Sequence, residues 1–493
     1  MKTAFLIFFF INTILFADKI PCGIRIHFNL TEEQYRFLDE HFDFVMTPSL
    51  SSDVRTTFKK AKLLLYRSIQ GTWENFTQFD WKHIDSCENM FCHSVSSLQD
   101  SSTRIITEWD SQLMEGRDLV EKTAPDALNH WINYYAVTAS TQVKLYNYDG
   151  LFIDSASHLL KKTWLHNELP WNYTAESWRE GRYNALAFIK SYLPNKLVIF
   201  NGLHSDFGAD SSITLTDGGM WEDFAFVPDS AGNYKGFASW YDAIDCMVKN
   251  KDKGSLVLVV KKWGLSKDFK ARMFSTASYF LISQPNIFLT LSDYAYHTFP
   301  QYYPEFEIDL GNAIQDISVN TDTLFFRKFE HGLVVVNPTT TLTKTFNLEK
   351  EYYLITAVGG GFINEKGECE GKLNYERISG QISLPPMSGV ILSDSPSEVE
   401  KNDSKPDSFS LKQNYPNPFN PATPIDYSIA KRGLVHLKVY DVLGHEIATL
   451  VNKEQLPGNY TVQFNADNLP SGVYFYTLQS KNITITMKMV LLQ

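Results

Sequence analysis

Two short apolar runs in this sequence end on an acid. Asp149-Gly150-Leu151-Phe152-Ile153 leads into Asp154, and Asp217-Gly218-Gly219-Met220-Trp221 leads into Glu222. Such runs, bounded by turn residues, read as buried strands, so each acid stands where a strand gives way to a loop. Two carboxyl groups facing one another across a pocket suit the cleavage of a glycosidic bond. One protonates the departing oxygen, and the other attacks the anomeric carbon or activates water. Tryptophans accompany the acids along the same region (Trp73, Trp109, Trp164, Trp171, Trp221 and Trp263), and their faces can stack on the C–H surfaces of sugar rings.

Asp154 and Glu222 are therefore the candidate catalytic residues. Tyr66, Glu108, Trp109, Asn201, Trp221, Trp263 and Asp293 are the candidate substrate-binding residues, placed at or after the ends of neighbouring runs. The plainer alternatives are core packing for about half of the tryptophans and a loop cap for Asp154, since Asp readily begins loops. Gly-x-Ser-x-Gly, His-Glu-x-x-His, P-loop and EF-hand patterns are absent, which weakens the case for a serine esterase, a metalloprotease or an NTPase. His158, His204 and His297 lack ligand spacing, so a carboxylate-metal hydrolase ranks third. His158 reads as a solvent-facing residue of the next helix. No metal or cofactor is implied.

The elements that must position these acids follow from the alternation of pattern. Apolar runs recur at 23–28, 44–46, 61–67, 150–153, 197–200, 219–221, 256–260 and 287–291, with helical periodicity between most of them. Thr31 and Gln34 have capping-box spacing. Leu128, Trp131, Ile132 and Tyr135 follow a Pro125 suited to a first helical turn. Leu186, Ile189 and Leu193, then Tyr241, Ile244 and Val248, then Phe269, Met273, Ala277, Phe280 and Leu281 repeat at helical intervals. Strands alternating with helices imply a parallel sheet, and eight such units fit a (β/α)8 TIM barrel over residues 18–315. Reacting groups then belong at the C-terminal ends of the strands. An open doubly wound sheet is the rival, weakened by the missing Gly-rich loop after the first strand. Residues 316–393 lose the helical pattern and read as a small antiparallel β-domain. Residues 394–408 are a polar linker. Residues 409–493 alternate short strands with Gly, Pro and Asn turns, as a β-sandwich does.

Composition bounds the rest. Aromatics at 14% and apolar residues at 44% supply a large core. The balance of 45 Lys+Arg against 56 Asp+Glu gives a formal charge of −11, with no dense basic cluster, which argues against a nucleic-acid partner. Met1-Lys2, an apolar run from Ala4 to Phe16 and then Ala17 read as a signal peptide over 1–17, too short for a transmembrane helix. The five cysteines are too few for a disulfide scaffold; Cys87 and Cys92 could pair after export or lie unpaired in the core.

Two resemblances add to this reading. The block Asn414-Tyr415-Pro416-Asn417-Pro418-Phe419-Asn420-Pro421, with Val439-Tyr440-Asp441, Pro457-Gly458-Asn459-Tyr460 and Ser471-Gly472-Val473-Tyr474, makes residues 409–493 resemble the type A C-terminal sorting domain of Bacteroidota-type bacteria. That implies the type IX secretion machinery as a partner and a secreted or cell-surface destination. The order Asp149-Gly150-Leu151-Phe152-Ile153-Asp154, Phe200-Asn201-Gly202, Met220-Trp221-Glu222, then Phe326-Arg327-Lys328-Phe329-Glu330-His331-Gly332 and Leu384-Pro385-Pro386-Met387-Ser388-Gly389-Val390, is similar to the glycoside-hydrolase-like TIM barrels of hypothetical family 15. That likeness implies a barrel with a C-terminal β-domain and a carbohydrate substrate. By it, Asp154 falls where such barrels carry the nucleophile or base, and Glu222 where they carry the acid. The alternative is a non-catalytic surface protein that binds glycan on the same scaffold.

Overall fold

The computed structural model describes residues 20–492, except 27–29, 73–78, 96–99, 108–109, 161–164, 167–168, 204–208, 226–235, 294–298, 397–408, 415–416, 431–432, 456–457, 468 and 481–482. The expected signal peptide and most of the linker thus lie outside the described residues.

Eight strands run parallel in sequence order: β1 Gly23–Arg25, β2 Phe44–Thr47, β3 Lys62–Ser68, β4 Gly150–Asp154, β5 Leu197–Asn201, β6 Gly218–Glu222, β7 Ser255–Lys262 and β8 Ile287–Asp293. The sheet curls until its edges meet: Leu289 donates its backbone N–H to Pro21 O at 2.9 Å, and the Thr290 hydroxyl reaches Gly23 O at 2.9 Å. Closure removes both sheet edges. The α-helices of six residues or more between the strands are α1 Glu32–His41, α2 Ser52–Thr57, α3 Trp131–Leu145, α4 Ala175–Tyr192, α5 Ala209–Leu215, α6 Phe237–Asn250 and α7 Phe269–Ile282.

Side chains alternate across each strand, and this sorts the apolar residues into two layers. Phe44, Met46, Leu64, Tyr66, Phe152, Ile199, Met220, Val257 and Val259 fill the barrel interior. Val45, Leu63, Leu65, Leu151, Ile153, Val198, Phe200, Leu256, Leu258 and Val260 pack outward in the layer that also holds Trp131, Leu186, Trp240 and Phe274 of the helices. Full burial of each such side chain contributes about 1.5–3 kcal/mol, so the outer layer dominates the stability of the barrel.

The capping box forms at α1, with Thr31 accepting from Gln34 N and Gln34 turned back to Thr31 N. Helix α3 starts later than Pro125 suggests. Residues Ala127–Asn129 form a 3-10 turn, Leu128 is exposed, and the helix begins at Trp131 behind His130. Helix α6 buries Trp240, Ala243, Ile244 and Met247, leaving Tyr241 and Val248 of the expected stripe exposed.

After the barrel, a six-stranded antiparallel sheet in the order Ser318–Val319, Phe325–Phe329, Gly332–Asn337, Ser388–Ser393, Tyr352–Gly359, Gly371–Ile378 packs on α7. Arg327 fastens the contact by donating to the carbonyls of Phe280, Leu281 and Ser283 at the C-terminal end of α7, where the last carbonyls have no partner one turn further along the helix. Arg272 and Glu305, both fully buried, pair at 2.7 Å beneath it. The barrel and this sheet form one compact unit, Met1–Ser395.

The second unit, Pro396–Gln493, is a two-sheet sandwich. Ser410–Leu411, Ala422–Ile429 and Gly458–Asn465 form one sheet; Glu446–Gln455, Gly433–Tyr440, Gly472–Ser480 and Ile483–Leu491 form the other. Ile425, Tyr427, Leu437, Val439, Tyr476 and Met489 fill the space between. Asn414 ties in the entering chain: its N–H donates to the Tyr476 hydroxyl at 2.8 Å and its amide to the Thr423 hydroxyl at 3.1 Å.

Candidate functional site

The alternation that fills the barrel with apolar side chains ends on polar ones. In β4 the inward residue after Phe152 is Asp154. In β5 it is Asn201 after Ile199, in β6 Glu222 after Met220, and in β7 Lys261 after Val257 and Val259. Tyr66 of β3 lies one level deeper, stacked on Phe152 with ring centres 5.9 Å apart.

Asn201 joins the two acids. Its Nδ2 donates to Asp154 Oδ1 at 2.8 Å and to Glu222 Oε1 at 3.0 Å. Asp154 Oδ1 also accepts the Ser155 N–H at 2.8 Å, and its Oδ2 accepts from the Tyr66 hydroxyl. The Arg25 guanidinium lies over the Tyr66 ring, with its carbon 4.0 Å from the ring centre and Nη1 3.8 Å from Asp154 Oδ2. Lys261 Nζ donates to Glu222 Oε2 at 2.9 Å. The Asp154 side chain is 15% exposed and that of Glu222 37%.

Burial opposes the charge on Asp154. Arg25 and the hydrogen bonds from Tyr66, Asn201 and Ser155 outweigh it and hold the carboxyl below the usual carboxylate range. Burial, followed by the negative charge of Asp154, pushes the Tyr66 phenol well above its ordinary value, so Tyr66 stays a protonated donor. The result is an ionised carboxylate on fixed donors, with a second carboxyl one amide away.

Four of the residues expected from sequence thus meet here: Asp154, Glu222, Tyr66 and Asn201. Trp221 does not join them. With Glu222 pointing inward, its neighbour must point outward, and Trp221 is buried in the layer between strands and helices. Asp293 shares the outward parity of Ile287, Leu289 and Leu291. Its buried carboxylate accepts from Gly264 N at 2.9 Å, Ser266 N at 3.1 Å and the Ser266 hydroxyl at 2.6 Å. It holds the loop after β7, where Gly264 takes a φ of +73° and Trp263 stands 67% exposed. Glu108 and Trp109 lie outside the described residues, as do Trp73, Trp164, His204 and His297. His158 is buried rather than solvent-facing; it precedes α4, hydrogen-bonds the Ser212 hydroxyl and packs against Tyr183 and Phe200.

Arg25 and Lys261 escaped the sequence reading. Their signal was parity: each lies an even number of residues from an inward-facing partner, Gly23 for Arg25 and Val259 for Lys261. Among the described residues, no three His, Cys, Asp or Glu side chains gather as metal ligands would. Cys87 and Cys92 are both unbridged thiols, the latter donating to Met114 O.

No curated protein matches the chain. Among solved structures, the glycoside hydrolase domain of PelA from Pseudomonas aeruginosa is 12% identical, covering 55% of this chain and 95% of that one, with a TM-score of 0.37. The alpha-amylase from Geobacillus thermoleovorans is 10% identical over 76% of this chain and 98% of that one, at a TM-score of 0.40. Residues 413–492 match the secretion system C-terminal sorting domain, so the protein is handled by the type IX system and is secreted or displayed at the cell surface. Residues 73–333, just over half of the chain and spanning β4 to β8, match a second family. By that match the chain belongs to hypothetical glycosyl hydrolase family 15.

Proposed function

We propose that the protein is an exported glycoside hydrolase of the retaining type, with Asp154 as nucleophile and Glu222 as acid and then base. One observation carries this: a single amide nitrogen contacts both carboxylates. Asp154 Oδ1 and Glu222 Oε1 are therefore at most about 5.8 Å apart, the sum of the two hydrogen bonds. Retaining glycosidases hold their carboxyl groups about 5–5.5 Å apart, whereas inverting ones need about 6.5–9.5 Å to admit a water.

In this scheme Asp154 attacks the anomeric carbon while Glu222 delivers a proton to the departing oxygen. A glycosyl ester forms on Asp154. Water then attacks the same carbon as Glu222 takes its proton, and the Asp154–carbon bond breaks. Tyr66, Arg25 and Ser155 keep the nucleophile charged and aimed, and Asn201 fixes its distance from Glu222. The exposed Trp263 is available as a stacking surface at the rim.

The test is a screen of the purified protein on a panel of polysaccharides, followed by proton NMR of the first product. Retained anomeric configuration is expected. An inverted product would remove Asp154 as nucleophile. Glycan binding without any hydrolysis would favour the binding-protein reading.

A further inference from the structure

The outer face of the sorting unit's four-stranded sheet is apolar at one end and polar beyond it. Val439, Tyr474, Tyr476 and Met489 face the core of the sandwich, so strand alternation sends Tyr440, Val473, Phe475 and Val490 outward. Tyr440 lies opposite Phe475, and Val473 opposite Val490. At that same end the chain leaves Gly433–Tyr440 and turns into Glu446–Gln455, carrying Val442 and Leu443 on the turn, 65% and 78% exposed. Further along the face, Lys438, Thr477 and Thr486 form a polar row, with the two threonine hydroxyls 3.0 Å apart. Leu434 and Ile483, also exposed, stand singly at the opposite end, beside Glu454 and Ser480.

The turn that carries Val442 and Leu443 is held in one shape. Asp441 donates its N–H to His445 O at 3.0 Å, and its Oδ1 accepts from Leu443 N at 2.8 Å and from His445 N at 2.9 Å. Gly444 supplies a φ of +85°, which a side chain would oppose. Small and polar residues ordinarily occupy such tips. Two large apolar side chains fixed in water gain nothing until a partner covers them. A clustered group of this kind marks a contact surface, where a single exposed leucine does not. The acids beside the tip are committed within the unit: Asp441 to the turn and to the His445 ring at 3.0 Å, Glu446 to Lys438 at 2.8 Å and to the Thr449 hydroxyl at 2.6 Å. What the tip offers a partner is therefore chiefly apolar surface.

The occupant follows from the match of residues 413–492 to a secretion sorting domain, the segment that the export machinery has to recognise. We propose that Val442 and Leu443, backed by Val473, are the surface by which the type IX machinery reads this tail, and that the machinery receives them in an apolar pocket. The proposal rests on the sorting assignment and is independent of the glycosidase reading.

The test is made on the full chain in a type IX host, by fractionation and protease accessibility. Combining Val442→Ser with Leu443→Ser should lower the surface and released fraction about tenfold or more, the scale of losing two buried apolar side chains from a contact, and leave the protein in the periplasm. Ile483→Ser, which changes a residue 50% exposed at the opposite end, should be delivered as the parent is. Both purified variants should melt with the parent, because none of these side chains is buried. Independently, p-benzoylphenylalanine placed at position 443 should crosslink to a component of the type IX machinery identified by mass spectrometry, and at position 483 it should not. Normal delivery of the double variant overturns the proposal. So does a crosslink from position 443 that reaches only lipid or a second copy of this chain. Should the double variant melt below the parent, the crosslink decides alone. Deletion of the whole tail tests the sorting assignment itself, so that assignment can stand while this surface fails.

Discussion

The two ends of the barrel use the same residue type for opposite purposes. At the N-terminal end, Asp43, Asp149 and Asp217 each precede an even-numbered strand, and each accepts a backbone N–H at the start of the strand before it. Asp43 takes Cys22 N, Asp149 takes Leu63 N and Asp217 takes Val198 N, all at 2.8 Å. Asn286, before β8, plays the mirrored part by donating to Gly254 O at 2.7 Å. Cations complete two of these straps: Arg55 reaches Asp149 at 2.5 Å and Lys190 reaches Asp217 at 2.7 Å. At the C-terminal end, Asp154 and Glu222 bond chiefly to side chains: Tyr66, Asn201 and Lys261. A carboxylate spent on the amides of a neighbouring strand is holding the sheet together. One whose partners are side chains at an open rim can exchange them for a ligand. Asp293 shows that position alone does not decide, for it sits at the C-terminal end yet serves loop amides.

The sharpest way to break this comparison is to mutate both ends. Asp154→Asn and Glu222→Gln keep shape and remove proton chemistry, so each should lower kcat by about 10²-fold or more, the scale of a lost positioned acid or base. Asp149→Ala should do the reverse. It leaves Leu63 N–H and Arg55 without their acceptor, which costs about 1–3 kcal/mol in urea unfolding, while the folded fraction keeps its kcat. An Asp149→Ala enzyme that is stable but inactive would abolish the distinction between the ends. A third change tests the export unit. Because residues from Pro396 onward form their own compact core, deleting 409–493 should leave the melting of the barrel unit unchanged and retain the protein in the periplasm of a type IX host. Normal surface delivery of that truncation would contradict the role of the tail.

Much of this was legible in the sequence because the signals were local and repeated. Each Asp-Gly pair marked a strand start for two physical reasons. The Asp straps the neighbouring strand, and the glycine lets that sheet close: a Cβ on Gly150 would sit 2.3 Å from Leu197 O, and one on Gly218 2.1 Å from Ser255 O. Asp154 and Glu222 end strands that begin with such a pair, Asn201 ends the strand between them, and all three fall on the inward side. Trp221 and Asp293 were included on proximity, where strand parity, readable from the same residues, sends them outward. Arg25 and Lys261 are hard to single out, because a cation inside a run, as in Ile24-Arg25-Ile26, or in a pair after one, as in Val260-Lys261-Lys262, also looks like a solvated strand position. Helix α3 starts at Trp131 and not near Pro125 because Trp131, not the exposed Leu128, begins the buried stripe.

The smallest expected effect concerns the charge on Asp154. Its carboxyl is held below the ordinary Asp value of about 3.9 by Arg25 and its hydrogen bonds, against the opposing effect of burial. A carboxyl with a lower pKa in the folded state than in the unfolded one stabilises the fold fully above the unfolded value. That contribution disappears as the pH falls from there through the folded value. Asp154→Asn lacks this titration. The parent should therefore exceed the variant in unfolding free energy by a constant margin from pH 7 to about pH 5, and the margin should shrink below about pH 4. Urea unfolding of both proteins at matched ionic strength measures it. A margin that widens on acidification would mean that burial, not the donors, controls Asp154, and the residue would then belong with an acid that carries a proton. In that case the roles of Asp154 and Glu222 exchange, and the contrast between the two ends of the barrel survives with its chemistry reassigned.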